Sequence, residues 1–208
     1  MTAKKWLKKY LAVQIILLLI LGGVVVFIDP FFHYHKPLEM FYYTLDNQRS
    51  QNNGIIKRFE YDAIITGSSM IENSKVTEIN QLFGVNAIKL PYSGGSYKEV
   101  NEAVKLAIEN EPELKLVIRC LDMSRFFDDK EAMRLDLGEY PEYLYNENPF
   151  DDVNYVLSKD VLLKRCAYIL LDWLTGAEGG VTSFDEYSYW ENEGEVEHGK
   201  EVVLAEYD

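Results

Sequence analysis

The sequence predicts an α/β domain built on a parallel sheet, preceded by one N-terminal transmembrane helix. Three observations predict it. Lys4, Lys5, Lys8 and Lys9 precede an uncharged stretch from Leu11 to Ile28. Short apolar runs then alternate with stretches of helical spacing, the signature of strands joined by crossover helices. Each run ends in a turn rich in glycine, serine or aspartate, which is where such sheets carry their sites.

Residues 1–10 form a basic flank and residues 11–28 the span. At a helical rise of 1.5 Å per residue the span reaches about 27 Å, close to the hydrocarbon thickness of a bilayer. The four lysines lie on its N-terminal flank, and Asp29 and Pro30 follow its other end. The positive-inside rule therefore predicts a cytoplasmic N-terminus and an outward-facing body, a single-pass protein of the cell membrane. A cleaved signal peptide is the rival reading. The run is longer than a usual signal core, and Phe27-Ile28-Asp29-Pro30 lacks the small residues of a cleavage site.

Residues 29–54 read as a juxtamembrane connector, aromatic at first (Phe31-Phe32-His33-Tyr34-His35) as suits the headgroup zone. His33 and His35 have no neighbours that complete a ligand set, so no metal or other cofactor is expected. The folded domain is expected over residues 55–208. Tyr61 to Gly67 is its first strand candidate, followed by a helix-like stretch from Met70 to Phe83. Val85 to Tyr92 and Leu116 to Leu121 are the second and third strands. Val100, Ala103, Val104, Ala107 and Ile108 between them fall at helical spacing, stopped by Pro112. A further helix is expected from Lys159 to Thr175. Beyond Leu121 no strand of the buried kind is visible, so the sheet reads as incomplete and the chain as stopping before its last strands.

At 208 residues and 48% hydrophobic content the chain can bury a core of one domain. Its formal net charge is −13, and without the four lysines of the flank the body stands at −17. So acidic a body repels nucleic acid and anionic lipid. Cys120 and Cys166 are too few for a disulfide framework and wrongly arranged for zinc, and read as buried free thiols.

The three loops at the strand ends are Gly67-Ser68-Ser69, Ser93-Gly94-Gly95-Ser96 and Asp122-Met123-Ser124-Arg125. Ser69, on a turn from strand to helix, can offer its hydroxyl to solvent while backbone N–H groups face a developing oxyanion. Equally, Ser69 to Glu72 matches a capping box, and so does Ser96 to Glu99. Gly94 and Gly95 allow close backbone approach or serve only a tight turn. Asp122 could orient a base or bind a cation and Arg125 could hold an anion; a local salt-bridge set of Arg119, Arg125, Asp128 and Asp129 is the plainer account.

The block from Tyr61 to Met70 resembles the first block of SGNH/GDSL hydrolases, especially the envelope branch that includes the D-alanyl transfer protein of teichoic acid and alginate-type O-acetyltransferases. The resemblance implies a three-layer, flavodoxin-like sheet. It further implies Ser69 as catalytic nucleophile, with Ser68, Gly94, Gly95, Asp122 and Arg125 around the oxyanion and substrate. By its terms the chain is a bacterial esterase or O-acyltransferase acting on a cell-envelope polysaccharide. Two departures stand against it: no Gly-x-Asn-Asp block is visible, and the final Asp-x-x-His has only Glu195-Val196-Glu197-His198 as a counterpart. His198 reads as an exposed histidine of a charged tail. The alternative is a non-catalytic, membrane-tethered binding or assembly protein that keeps the scaffold without a complete triad.

Overall fold

The structure, a computed structural model, describes residues 2–123, 128–134 and 140–186. It begins with α1, Ala3–Ile28, a rod of about 39 Å at the helical rise. Its best 18-residue window has a mean hydropathy of 3.0, and only 17% of that window is buried against the rest of the chain. Among the described residues one helix is thus long and apolar enough to cross a membrane.

The helix stops at Asp29, whose φ of 47° turns the chain into the left-handed region. The reason is visible in its carboxylate. Fully buried, it accepts the N–H groups of His33 (3.0 Å), Tyr34 (2.7 Å) and His35 (2.9 Å) and the hydroxyl of Tyr155 (2.8 Å). Three backbone donors and a phenol compensate the cost of burying the charge. The aromatic stretch that follows does not trail along a surface: Phe31, Phe32, Phe41 and Tyr43 are buried in the main core with Ile55, Ile56 and Ile64.

Residues 29–54 accordingly carry two elements. β1 (Tyr42–Tyr43) pairs in parallel with the equally short β5 (Gly180–Val181). α2 (Gln48–Arg58) starts inside this stretch and runs on into the body. It lies so close to the end of α1 that a Cβ on Gly54 would fall 2.8 Å from Phe32 Cβ.

The main sheet has three parallel strands in the order β3-β2-β4: β2 is Ala63–Gly67, β3 Ala87–Pro91 and β4 Leu116–Arg119. Ala63 stands opposite Ala87 on one side and Leu116 on the other. Because β2 is central and covered on both faces, all five of its residues are buried, which is why it reads as an unbroken apolar run. Ile64, Ile88 and Leu90 meet α2 and α4 (Tyr97–Asn110) through Ile55, Ile56, Val100, Ala103 and Ala107. Ala63, Ile65 and Ala87 point the other way, toward Ile71 and toward Val76 of α3 (Val76–Phe83). The sequence-predicted α/β class with a parallel sheet is what the chain forms.

One predicted element differs in form. The stretch from Met70 to Phe83 is split into a 3-10 turn, Ser69–Ile71, and α3. Lys89 is the cause. Its ammonium is buried on β3 and donates to the carbonyls of Glu72 (2.7 Å) and Ser74 (3.2 Å), oxygens that a continuous helix would need, and to that of Glu186 (3.3 Å).

Beyond the sheet, α5 (Val153–Val156) and α6 (Lys159–Val161) lead through a π turn, Leu162–Cys166, into α7 (Ala167–Leu174). From α6 onward this is the helix expected from Lys159 to Thr175; α5 is set off from it by Ser158, whose backbone is extended, and Gly176 ends it with a φ of 86°.

Candidate functional site

The strand order puts the end of β2 at a switch point. The chain leaves β2 to one side for β3, then crosses back to the other side for β4, so the loops after β2 and β3 diverge and leave a crevice between them. The loops singled out in sequence do meet there. Ser68, Gly95, Ser96, Tyr97, Arg119 and Asp122 all line one small cleft of about 40 Å³.

Ser69 is exposed, the first residue of the 3-10 turn. It is not the cap. That part falls to Ser68, which is buried and whose Oγ accepts the N–H of Met70 at 3.4 Å while donating to Asp122 Oδ2 at 3.1 Å. Glu72 does not reach back to position 69 either; it is buried and accepts Gln48 Nε2 at 2.6 Å. The capping box read at Ser69 to Glu72 is therefore not formed, and Ser69 is left uncovered beside a serine–aspartate tie. Gly67 permits this loop: a Cβ there would lie 2.8 Å from Cys120 Cβ on the neighbouring strand end.

The second loop is held otherwise. The capping box at Ser96 forms in full: Ser96 Oγ accepts the N–H of Glu99, and Glu99 accepts the N–H of Ser96 at 2.6 Å. Gly94 takes a φ of 61°, which a side chain would disfavour. Gly95 sits over Tyr92 so closely that a Cβ would fall 2.5 Å from Tyr92 Cβ, and its N–H is spent on Tyr92 O at 2.6 Å. The expected part of Gly95 as an oxyanion donor conflicts with that bond.

Asp122 lies at the end of β4 as expected. Ser124 and Arg125 lie outside the described residues, and so does His198. Arg119 does not join Asp128 and Asp129. Its guanidinium stacks 4.3 Å over the Tyr97 ring and donates to Asn101 Oδ1 and Tyr97 O, which leaves a cation on the wall of the cleft.

The residues that fix both loops were not legible in sequence. Glu99 is fully buried and accepts Arg49 Nε at 2.6 Å. Arg49 also donates to Ser93 O (3.2 Å), Gln48 Oε1 accepts the N–H of Ser93 (2.6 Å), and Asn52 donates to Pro91 O (2.7 Å). One face of α2 thus grips the loop after β3 directly and, through Gln48 and Glu72, the turn after Ser69. Lys89 grips the same turn from below, and burial pushes its ammonium below the ordinary lysine value, against the pull of Asp185 and Glu72.

Both described histidines are engaged at the end of α1. His33 Nε2 lies 3.2 Å from Asp152 Oδ1, and His35 pairs with the carbonyls of Lys36 and Val26. No group of three potential ligands for a metal occurs among the described residues. A larger cavity of about 770 Å³ lies between Pro30, β1 and the α6–α7 rod; two ion pairs line it, Arg165–Asp46 (2.6 Å) and Lys164–Asp160 (3.2 Å), together with Asp172.

Compared with known protein families, curated proteins and solved structures, the chain matches none.

Proposed function

We propose that the chain is a membrane-anchored, extracytoplasmic protein of the SGNH type that handles acyl esters of a cell-envelope polysaccharide, with Ser69 as its nucleophile. The observation that carries the reading is an exposed Ser69 at the carboxyl end of the central strand, at a switch point between loops. The order β3-β2-β4 is also that of the first three strands of a flavodoxin-like sheet, as this reading requires. α1 supplies the tether, and the lysines on its N-terminal flank favour an outward domain.

In the reaction Ser69 Oγ attacks the acyl carbonyl carbon, the hydroxyl proton passes to a base, and the ester's alkoxide leaves as an alcohol. A sugar hydroxyl or water then takes the acyl group from the serine. Ser68 and Asp122 hold the turn that presents Ser69, and Arg119 is placed to attract an anionic substituent of the glycan.

Specific observations favour a second reading, in which the same scaffold only binds or assembles. The Gly95 N–H is already bonded, the cleft holds about 40 Å³, and both described histidines are engaged elsewhere. A fluorophosphonate probe separates the two. Stoichiometric labelling of the folded chain that vanishes in Ser69→Ala and persists in Ser68→Ala supports the nucleophile. A folded chain that takes no label leaves the binding reading.

A further inference from the structure

The α5–α7 rod carries three faces. Tyr155, Val161, Cys166 and Ile169 are buried in the core. Asp160, Lys164, Tyr168 and Asp172, four residues apart, line the larger cavity. Leu163, Leu171 and Leu174 form a third row, 63%, 53% and 72% exposed, and before the extended Ser158 the chain also exposes Val153, Leu157 and, at 86%, Phe150. Single exposed apolar residues need no explanation, but a row of them on one element does.

The place of this rod beside α1 says what covers the row. α1 packs against α5 and against the π turn. At Gly22 the fit is so close that a Cβ would lie 2.7 Å from Val156 Cγ1 and 3.6 Å from Leu157 Cδ2. Gly22 lies six residues before the end of α1 at Ile28, about 9 Å along its axis. At the other end of the rod, Trp173 meets Phe41 edge-on at 6.1 Å, and Phe41 meets Phe27 at 6.0 Å. Both ends of the rod therefore sit level with the last turns of the apolar helix, whose own side chains are open there, Phe27 at 56%. A tryptophan at such a level suits the boundary between headgroups and acyl chains.

We infer that the α5–α7 rod is an interfacial membrane element, bedding Phe150, Val153, Leu157, Leu163, Leu171 and Leu174 in the leaflet at which α1 ends. The inference rests on the reading that α1 spans the bilayer. The occupant is lipid because the elements that carry the row pack against the last turns of α1, whose own apolar side chains are open there. An amphipathic rod of this kind lies in the plane of the interface, sunk about 5–10 Å below the headgroups. Its consequence is orientation: with the span and the rod both in lipid, the domain is held at two points, and the cavity between β1 and the rod opens at headgroup level.

The test uses the full chain in lipid vesicles, with a Cys120→Ser background, Cys166 being buried, and a nitroxide label at single introduced cysteines. Phe150→Cys, Leu163→Cys and Leu174→Cys report on the rod, Leu19→Cys on the span, and Leu82→Cys, equally apolar and exposed on α3, on the body. Labels sunk about 5–10 Å into the interface raise the ratio of oxygen to nickel-chelate accessibility clearly above that at Leu82→Cys. That result at the three rod positions supports the inference. Rod labels as open to the nickel chelate as Leu82→Cys, with Leu19→Cys in lipid, overturn it and leave the span intact. Rod labels shielded from both reagents mean a protein covers the row and likewise overturn it. Leu19→Cys open to nickel removes the span and the inference with it. On the chain without substitutions, a diazirine lipid must label peptides from Phe150 to Leu174 as well as α1; adducts on α1 alone count against the rod.

Discussion

At the scale of the residue, buried charge does most of the positioning. Glu99 has no exposure and two donors fix its carboxylate, Arg49 Nε and the N–H of Ser96, while its own N–H donates to Ser96 Oγ and closes the box. Removing one partner of such a pair costs about 3–5 kcal/mol because the other charge stays buried. Glu99→Ala is expected to lower the unfolding free energy by that order in detergent, and to slow probe capture at Ser69 less than it lowers stability, since Ser69 touches neither charge. The two thiols form a second contrast. Burial pushes the Cys166 thiol up to about 12, with Asp29 adding to the rise, whereas Cys120 is half-buried at the end of β4. A disulfide reagent at pH 8 should therefore titrate one thiol in the native chain, Cys120, and both after denaturation; rapid reaction of Cys166 in the folded chain would contradict its burial.

At the scale of the element, the parts legible in sequence are those whose partners are apolar. β2 announced itself because both its faces are covered, and α4 because Val100, Ala103 and Ala107 meet the sheet at helical spacing. α2 was not legible. Apart from Ile55 and Ile56 at its C-terminal end, its buried side chains are Gln48, Gln51, Asn52 and Asn53, whose partners include the carbonyls of Pro30, Thr44, Pro91 and Leu144. Hydrophobic periodicity cannot register a helix that is buried through amides. The break before α3 was hidden for a related reason: the ammonium that makes it stands on another strand. α3 also takes its N-terminal cap from afar, since Thr77 donates both its N–H (3.0 Å) and its hydroxyl (2.6 Å) to Asp185. Those bonds hold the Asp185 carboxyl below its ordinary 3.8. A depressed carboxylate stabilises the fold fully above the unfolded value and loses that contribution as pH falls through the folded one. The contact is exposed, so its worth is below about 1 kcal/mol. Asp185→Asn should flatten the stability profile below pH 3.8 and leave its shape near neutrality unchanged, as thermal melts across that range would record.

At the scale of the molecule, the site is only partly written in the linear pattern. The strand order brings Ser68, Gly95 and Asp122 to one cleft at the end of the sheet, and Ser69 stands on the turn beside it, outside the cleft's lining. What spacing could not reveal is the division of labour between neighbours: Ser68 takes the bonds and Ser69 is left open, a distinction set by Asp122, 54 residues further on. Nor could it show that the juxtamembrane stretch is part of the core, since Asp29 finds Tyr155 across 126 residues. α1, the buried turn at Asp29 after it and the sheet together hold Ser69 on a body fixed to the end of α1. The most direct test of that account is labelling of the full chain in sealed, right-side-out membrane vesicles with a charged, membrane-impermeant fluorophosphonate, read by mass spectrometry of the peptide that carries residues 68 and 69. The account predicts an adduct on Ser69 without permeabilisation. No adduct on a folded chain, or one that forms only after the vesicles are opened, would contradict it.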